Sequence, residues 1–253
     1  MKKNNEKFLT IDIGNSYIKM AVFGQNVELL EYSVFPTKLQ SIKQITKTIE
    51  SYKKLEIKQA ILGSVVKDFD LIIQSIIKEN LKIIPYKINQ QTKFNFDQNG
   101  YVEKGIGHDL LALAQYSTLK NKNAIAFSFG TSSVGLFIKN NKLVGVSIAG
   151  GLDSSYETLV KKASLLNKIE IDKNSMLPYG TDNKECLESG YHHLRNGFAL
   201  SFISSLEKEL NIAQTFIVAS GNAAGNFKNN YKINVDKYAI LEGYLNILIT
   251  NSK

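Results

Sequence analysis

The sequence predicts an α/β protein of two similar lobes, each a mixed sheet flanked by helices. Near the N-terminus two apolar segments flank a glycine turn, and a third strand and then alternating helices and strands follow, which is the order of a mixed α/β layer. The same order begins again at Ala124. The 253 residues are also enough for two domains of about 100–150 residues each. We therefore expect one lobe over 1–115 and a second over 116–253.

The first glycine turn lies in residues 11–16, which read IDIGNS. Asp12 precedes the turn, and a carboxylate there can orient a hydrated Mg²⁺. Gly14, Asn15 and Ser16 follow it, and their backbone N–H groups and small polar side chains can approach phosphate oxygens that a larger residue would block. An Asp-Gly-Asn cluster is also a common hairpin turn, so both interpretations stay open at this point.

The rest of the first lobe is predicted from its apolar periodicity. The polar, glycine-punctuated segment 92–107 is expected to be a long loop, and long loops in compact domains are often functional. It leads to Gly107, His108 and Asp109 and then into a helix. The elements before that loop are a strand over 27–35 that ends at Pro36, a helix over 38–52, a strand over 58–66, a helix through 72–77 and a short strand over 81–86.

An internal repeat is the observation that decides the fold class. Residues 124–138 again read as an apolar strand, a glycine turn and a returning strand. At one constant offset the turns and the partner strands align, since Gly14 meets Gly130, Ser16 meets Ser132 and Val22 meets Ile138. Two unrelated hairpins are not expected to agree in all these positions, so the chain is interpreted as a tandem duplication. At the same offset Asp12 meets Ser128.

The second lobe continues with elements that end in a second glycine-rich corner. A strand over 215–219 runs into Gly221, and such corners after apolar strands bind nucleotides in α/β folds. The other predicted elements are a third strand over 143–148, a helix over 156–166 after Gly150 and Gly151, strand-like Ile169 and Ile171, one or two helices over 181–210 broken or bent near Gly190 and Gly197, and a last helix over 237–249.

The composition is that of an ordinary globular protein, with 43% hydrophobic and 21% charged residues. The formal net charge is +8, but the lysines are scattered and Arg195 is the single arginine, which argues against nucleic-acid binding and favours anionic small molecules. A single cysteine, Cys186, excludes an intramolecular disulfide and is expected to be a partly buried helix residue. With no membrane-length apolar segment, a cytoplasmic location is expected.

Four motifs in this order resemble those of the type III pantothenate kinases, within the acetate kinase/sugar kinase/Hsp70/actin superfamily, over nearly the whole chain. The resemblance implies RNase H-like, actin-like lobes. The motifs are DIGNS at 12–16, GHDL at 107–110 where the family has Gly-x-Asp-Arg, SFGT at 128–131 where it has Asp-x-Gly-Thr, and IAGG at 148–151 where it has Ile-x-Pro-Gly.

The resemblance implies ATP-dependent phosphorylation of the primary hydroxyl of pantothenate, the first step toward coenzyme A. It also implies a homodimer that uses Mg²⁺ and a monovalent cation, K⁺ or NH₄⁺. By position Asp109 is the catalytic base, Asp12 holds Mg²⁺ through water, and Gly221 faces adenosine. The implied phosphate contacts are Gly14, Asn15, Ser16, Lys19, Gly130, Thr131 and Ser132, and the implied pantothenate contacts are Tyr101, Gly107, His108 and Thr181.

Simpler interpretations exist for several of these residues. Asp109 precedes an apolar helix and could be its N-cap, which stabilises a helix by about 1 kcal/mol. Tyr101 could be a loop aromatic packed on the surface, since its spacing to Gly107 is a residue shorter than in the family. The histidines His108, His192 and His193 could be structural or solvent-exposed.

Two departures from the family pattern fall at the reacting centre. Leu110 stands where the family has arginine, which removes a fixed fork of donors. Ser128 stands where it has an acid, and neutral ligands hold hard cations less well than carboxylates. Loss of such a charged group commonly costs about 10²–10³ in rate. The sequence therefore leaves three hypotheses: a pantothenate kinase of weakened activity, an inactive regulatory homologue that binds nucleotide or pantothenate, and a kinase for another small hydroxyl compound.

Overall fold

A computed structural model describes residues 6–166, 169–225, 227 and 231–252 of the chain. The chain divides into two compact units, one over 1–116 together with 239–253 and the other over 117–238. Each is described separately below. No helix in these described ranges is long and apolar enough to cross a membrane.

Nine strands and six α-helices are present in the described ranges, and they are numbered here along the chain. The strands are β1 (Lys7–Ile13), β2 (Tyr17–Gly24), β3 (Leu29–Pro36), β4 (Gln59–Ser64), β5 (Ala124–Phe129), β6 (Ser132–Lys139), β7 (Lys142–Gly150), β8 (Phe216–Ser220) and β9 (Ile233–Val235). The helices are α1 (Ile42–Ser51), α2 (Lys67–Leu81), α3 (His108–Lys120), α4 (Leu152–Lys162), α5 (Asn183–Ser205) and α6 (Ala239–Asn251).

The first unit is built on a four-stranded sheet in the order β3-β2-β1-β4. Strand β1 pairs antiparallel with β2 and parallel with β4. Side chains alternate across a strand, so Leu9, Ile11 and Ile13 share one face and pack in a core with α1 and α2. Thr10 and Asp12 share the opposite face, and α6 contacts β1 and β4.

The second unit repeats this plan in the order β7-β6-β5-β8-β9. Strand β5 pairs antiparallel with β6 and parallel with β8, as β1 pairs with β2 and β4. The register shifts near the same point of β2 and β6, between Val22 and Phe23 and between Phe137 and Ile138. Both sheets are mixed and flanked by helices, which confirms the predicted fold class.

The core of the second unit is aromatic on the face that α4 and α5 cover. Phe127 and Phe129 of β5 stack with ring centroids 5.9 Å apart, and Phe198 of α5 meets both rings edge-on. Arg195 of α5 is only 1% exposed and donates from Nη1 to the carbonyl of Lys173 at 3.0 Å. This core holds the carboxyl end of β5, where the second glycine turn begins.

Several predicted elements differ from the structure. Helix α6 belongs to the first unit because its apolar side chains pack on β1 and β4, whereas the sequence assigned it to the lobe over 116–253. Helix α5 is continuous through Gly190 and Gly197, because a glycine weakens a helix without ending it. Ile169 and Ile171 form no strand. The expected strand over 81–86 is a single bridge between Ile61 and Tyr86.

The prediction for Cys186 was also wrong. It lies on α5 as expected, but it is exposed. The buried face of α5 contains the residues that follow it, beginning with Leu187, Glu188 and Ser189. The thiol therefore points away from the core of the second unit.

Candidate active site

The first unit brings Asp12 and Lys19 together at the end of its sheet. They are direct partners in the antiparallel register of β1 and β2, so their side chains lie on the same face. On the other side of β1, Asp12 is paired with Gly63 of β4. Asp12 is only 8% exposed, so its carboxylate is largely out of water.

Asp109 reaches the same place from the first turn of α3. Helix α3 begins at His108, so Asp109 lies inside the helix and is not its N-cap. The carbonyl of Gly107 accepts the N–H groups of Leu110 and Leu111 at 3.1 and 3.3 Å. A Cβ at Gly107 would lie 2.4 Å from Oδ1 of Asp109, so the glycine makes room for this carboxylate.

The two carboxylates interact electrostatically. Burial, and next the negative charge of Asp109, raise the pKa of Asp12 to about 7, although Lys19 and the Tyr244 hydroxyl act in the opposite direction. Burial also raises the pKa of Asp109, against the lowering effect of the Leu110 and Asp109 backbone N–H groups and of Lys19. Perturbed acid pairs of this kind are typical of catalytic sites.

Tyr244 of α6 is a member of this cluster that the sequence did not identify. Its fully buried hydroxyl donates to Oδ1 of Asp12 at 3.5 Å. Burial and the charges of Asp12 and Asp109 raise the pKa of Tyr244 well above its ordinary value, so the hydroxyl keeps its proton. The only hint in the sequence was a tyrosine on the apolar face of the last helix, which is typical of any core position.

The first glycine turn is a closed hairpin loop with exposed polar side chains. The N–H of Gly14 donates to the carbonyl of Tyr17 at 3.0 Å, and Asn15 and Ser16 are exposed. Thr37, which the sequence did not identify, braces the loop because its hydroxyl donates to the Gly14 carbonyl at 2.7 Å. Its N–H donates to the Ser16 carbonyl at 3.0 Å. The turn is therefore a hairpin whose backbone is braced by hydrogen bonds and whose polar side chains are exposed.

In the second unit three glycines converge at the end of β5. The N–H of Gly130 donates to the Ser132 carbonyl at 2.9 Å and closes the turn. A Cβ at Gly151 would lie 2.3 Å from the carbonyl oxygen of Thr131, and one at Gly221 would lie 2.2 Å from that of Phe129. Gly221 also has a φ of 103°, which favours glycine. The turn, the start of α4 and the glycine corner thus meet within one unit.

The second turn also differs from the first in charge. Ser128 is 8% exposed and lies opposite Ser220 in the parallel register of β5 and β8. The Ser220 hydroxyl is fully buried and makes no hydrogen bond within the described part of the chain. The end of β5 therefore carries the neutral hydroxyl oxygens of Ser128 and Ser220. At the corresponding position of the first sheet, Asp12 carries a carboxylate. Leu110, the other departure, is a buried residue of α3 at 6% exposure.

Two predicted pantothenate contacts, Tyr101 and Thr181, have other partners in the structure, while the buried Nδ1 of His108 makes no hydrogen bond within the described residues. Tyr101 lies in a turn with the Lys104 ammonium 5.1 Å from its ring centroid. The pKa of His108 is lowered, first by burial and then by the positive charge of Lys87. Lys87 itself forms an ion pair with Asp70. The hydroxyl and N–H of Thr181 donate to Glu185 at 2.7 and 2.9 Å and help begin α5.

The other histidines are accounted for within the second unit. His192 is buried and hydrogen-bonded to the Asn196 amide, while His193 is exposed and 2.8 Å from the Pro178 carbonyl. Both match the structural or exposed interpretation.

The donors at Asp12 and Asp109 fit Mg²⁺. Hard divalent cations prefer carboxylate oxygens, and Mg²⁺ is typically held by one or two carboxylates together with phosphates and water. The two buried like charges raise each other's energy, which a cation offsets. No cluster of three or more His, Cys, Asp or Glu residues suited to a metal occurs within the ranges that the structure describes.

Comparisons with known proteins show which family the chain resembles. A sequence model of the type III pantothenate kinase family matches residues 8–232. A type III pantothenate kinase of Malacoplasma penetrans (strain HF-2) is 38% identical over 255 residues, covering 100% of both chains. Another, of Mycoplasmopsis synoviae (strain 53), is 31% identical and covers 99% of this chain and 100% of its own.

Two solved structures resemble the chain in fold alone. A conserved protein of the Baf family from Campylobacter jejuni has a TM-score of 0.56 at 17% identity, covering 96% of this chain and 98% of that one. The ethanolamine utilization protein EutJ from Carboxydothermus hydrogenoformans has a TM-score of 0.50 at 11% identity, covering 95% and 88%.

The related sheets, their glycine turns and the paired acids define a kinase that transfers phosphate to an alcohol group. Within that class, the chain belongs to the type III pantothenate kinase family.

Proposed function

We propose that this chain transfers the γ-phosphoryl group of ATP to the primary hydroxyl of pantothenate and so forms 4'-phosphopantothenate. The observation that carries the proposal is the meeting of Asp12 and Asp109 at one end of the first sheet, from motifs that lie far apart in the sequence. Family membership and the relatives at 38% and 31% identity supply the substrate.

Asp109 is the proposed base. As the pantothenate hydroxyl oxygen attacks the γ-phosphorus, its proton passes to a carboxylate oxygen of Asp109, and the bond from phosphorus to the bridging oxygen of ADP breaks. A carboxylate with a raised pKa accepts a proton more readily, which supports this role. The glycine at Gly107 keeps the carboxylate from being covered by a neighbouring side chain.

The proposed phosphate contacts lie on both glycine turns. In the first unit they are the loop of Gly14, Asn15 and Ser16, with Lys19 as a positive charge. In the second unit they are Gly130, Thr131 and Ser132, and Gly221 borders adenosine. Asp12 would hold Mg²⁺ through water, and the ion would supply positive charge against the phosphates. Tyr101, Gly107, His108 and Thr181 remain the proposed contacts of pantothenate.

The kinase assay is the test of this function. Purified protein with Mg-ATP should release ADP when pantothenate is added, and other small hydroxyl compounds should give less. Asp109→Asn keeps the size of the side chain but removes the base, so the rate should fall by about 10²–10⁴-fold. Glu50→Gln, an exposed acid of α1, is the matched control and should keep the rate. Nucleotide binding without turnover, across K⁺, NH₄⁺ and Na⁺, would identify a regulatory homologue instead.

A monovalent cation is the second proposed cofactor, and Ser128 is its proposed weak ligand. Ser128→Asp restores a negative charge at the end of β5, so we expect a faster rate, by up to about 10²-fold, and a new dependence on K⁺ or NH₄⁺. Ser128→Asn has a similar size without the charge and should behave as the wild type. Equal rates for all three proteins in K⁺ and Na⁺ would argue against a cation at this position.

We also propose that the enzyme is a cytoplasmic homodimer, as the family resemblance implies. Sedimentation equilibrium of the purified protein tests the oligomeric state directly. A single species with the mass of one chain, 28.3 kDa, at micromolar concentration would contradict it.

A further inference from the structure

In the described part of the structure, the hydroxyl of Tyr244 is the only hydroxyl that donates a hydrogen bond to Asp12. The hydroxyl donates to Oδ1 at 3.5 Å, across 232 positions of the sequence. Both groups are buried, and the tyrosine side chain is fully so. Hydrogen bonds of catalytic groups are often long before the substrates bind, and they shorten in the complex.

The surrounding backbone is shaped to admit this side chain. A Cβ at Gly63 would lie 1.9 Å from the Tyr244 hydroxyl oxygen and 2.2 Å from the ring carbon that bears it. Gly63 is the residue of β4 that pairs with Asp12. A glycine at this position therefore opens the space beside the carboxylate, and the ring of Tyr244 fills it.

The helix that carries the tyrosine is held equally closely. A Cβ at Gly243 would lie 1.9 Å from the carbonyl oxygen of Ala112 in α3. Helix α3 also carries Asp109, so α6 is packed against the helix of one carboxylate while its tyrosine reaches the other. Two glycines thus fix the hydroxyl relative to both acids.

We propose that Tyr244 is a positioning residue for the metal-binding carboxylate. Its hydroxyl engages Oδ1 of Asp12, fixes the rotation of the carboxylate, and so directs Oδ2 to the hydrated Mg²⁺ that accompanies ATP. The inference rests on the proposed function, since it assumes that Asp12 serves a metal–nucleotide complex.

A purely structural role is the competing explanation. A buried tyrosine fills space whatever its hydroxyl does, and phenylalanine would fill the same space at Gly63 without desolvating a polar group. The hydroxyl is instead placed against an acid at the site. The two explanations differ in whether removal of that one oxygen affects metal binding.

The experiment measures binding of Mn²⁺, as a probe for Mg²⁺, together with a non-hydrolysable ATP analogue, by the EPR signal of free Mn²⁺. Partners that orient metal ligands typically contribute about 10–100-fold in affinity, so Tyr244→Phe should weaken Mn²⁺ binding by about tenfold. The Mg²⁺ concentration for half-maximal rate should rise similarly, while the KM for pantothenate stays the same.

Tyr52→Phe is the matched control. Tyr52 is also buried in the first unit, and its hydroxyl lies 3.3 Å from that of Ser33. It should lose a hydroxyl without any change in Mn²⁺ affinity, even if both variants lose a similar amount of thermal stability.

The outcomes separate the positioning role from the proposed function. Equal Mn²⁺ affinity in Tyr244→Phe and the wild type overturns the positioning role, as does equal weakening in Tyr244→Phe and Tyr52→Phe. If the wild type itself fails to bind Mn²⁺ with the nucleotide, the proposed function fails instead. Tyr244→Leu serves as a second variant and should weaken binding at least as much.

Discussion

Asp12 is a carboxylate that the fold buries beside a second carboxylate, and this has a consequence for stability. Its pKa is about 7 in the folded chain, against 3.8 for an exposed aspartate side chain. The folded state therefore holds the proton more tightly than the unfolded state does. Stability from this group is full below about pH 4 and is lost as the pH rises to about 7.

Metal-free protein should show this pH dependence directly. In the presence of a chelator, the melting temperature should fall between pH 5 and pH 8, and Asp12→Asn should reduce that fall because it removes the buried charge. Asp109, whose pKa is also raised by burial, leaves a remaining slope of the same sign. Glu50→Gln should keep the full slope. A slope unchanged by Asp12→Asn would show that this carboxylate is not the group involved.

At this scale the sequence predicts the residues that stand next to a turn. Asp12 and Asp109 precede or follow glycines in motifs of a few residues, so local pattern and family resemblance identify them. Tyr244 and Gly63 could not be identified in this way, since their fit depends on the packing of α6 against β4. Thr37 was also missed. It reaches the first turn from the end of β3, and this contact depends on how the strands pair.

Among the elements, α6 is held to α3 by a backbone contact that admits no side chain. Gly243→Ala would place a methyl group 1.9 Å from the Ala112 carbonyl oxygen, so α6 must shift. Overpacking of this kind costs about 1–3 kcal/mol, and a lower melting temperature is expected. Because Tyr244 is the next residue, Mn²⁺–nucleotide binding should weaken in the same variant.

Gly190→Ala provides the contrasting result for a helical glycine. A Cβ at Gly190 of α5 meets no atom within 4 Å, and alanine is favoured in helix interiors by about 1 kcal/mol. Thermal denaturation should therefore show a gain for Gly190→Ala and a loss for Gly243→Ala. Losses of equal size in both variants would contradict the packing described for α6.

The helices were predicted more accurately in position than in continuity. Apolar residues spaced three and four apart located α1 and α2, but the glycines of α5 were taken for breaks or bends, and the helix has no break there. A glycine weakens a helix without ending it, and the buried face of α5, which includes Tyr191, Arg195 and Ala199, continues past both glycines. Burial along the whole helix outweighs the local propensity.

In the whole molecule, the chain leaves the first unit after Tyr116 and returns to it at Ala239. Helix α6 buries most of its apolar side chains in that unit, including Ile240, Leu241 and Leu245. Deletion of residues 239–253 should therefore abolish hydrogen-exchange protection in β1 and β4. Strands β5 and β8 should remain protected and provide the control in the same sample. Loss of protection in β5 and β8 alone would contradict the assignment of α6.

The duplicated fold was predictable because the same local sequence pattern occurs in both halves of the chain. Each half has a strand, a glycine turn, a returning strand and a further strand, so an alignment of two short segments was enough. The placement of the last helix was not predictable, because its apolar face could cover either sheet equally well. Charge at the two turns was visible in the sequence, since Ser128 stands where Asp12 stands in the first half.

The most direct test of the account is the identification of the product by mass spectrometry. Purified protein is incubated with Mg-ATP and pantothenate, with Asp109→Asn beside it. We expect a product heavier than pantothenate by one phosphoryl group, formed with an equal amount of ADP by the wild type and at least about 100-fold more slowly by the variant. ATP and pantothenate recovered unchanged from the wild type, across K⁺, NH₄⁺ and Na⁺, would contradict the account.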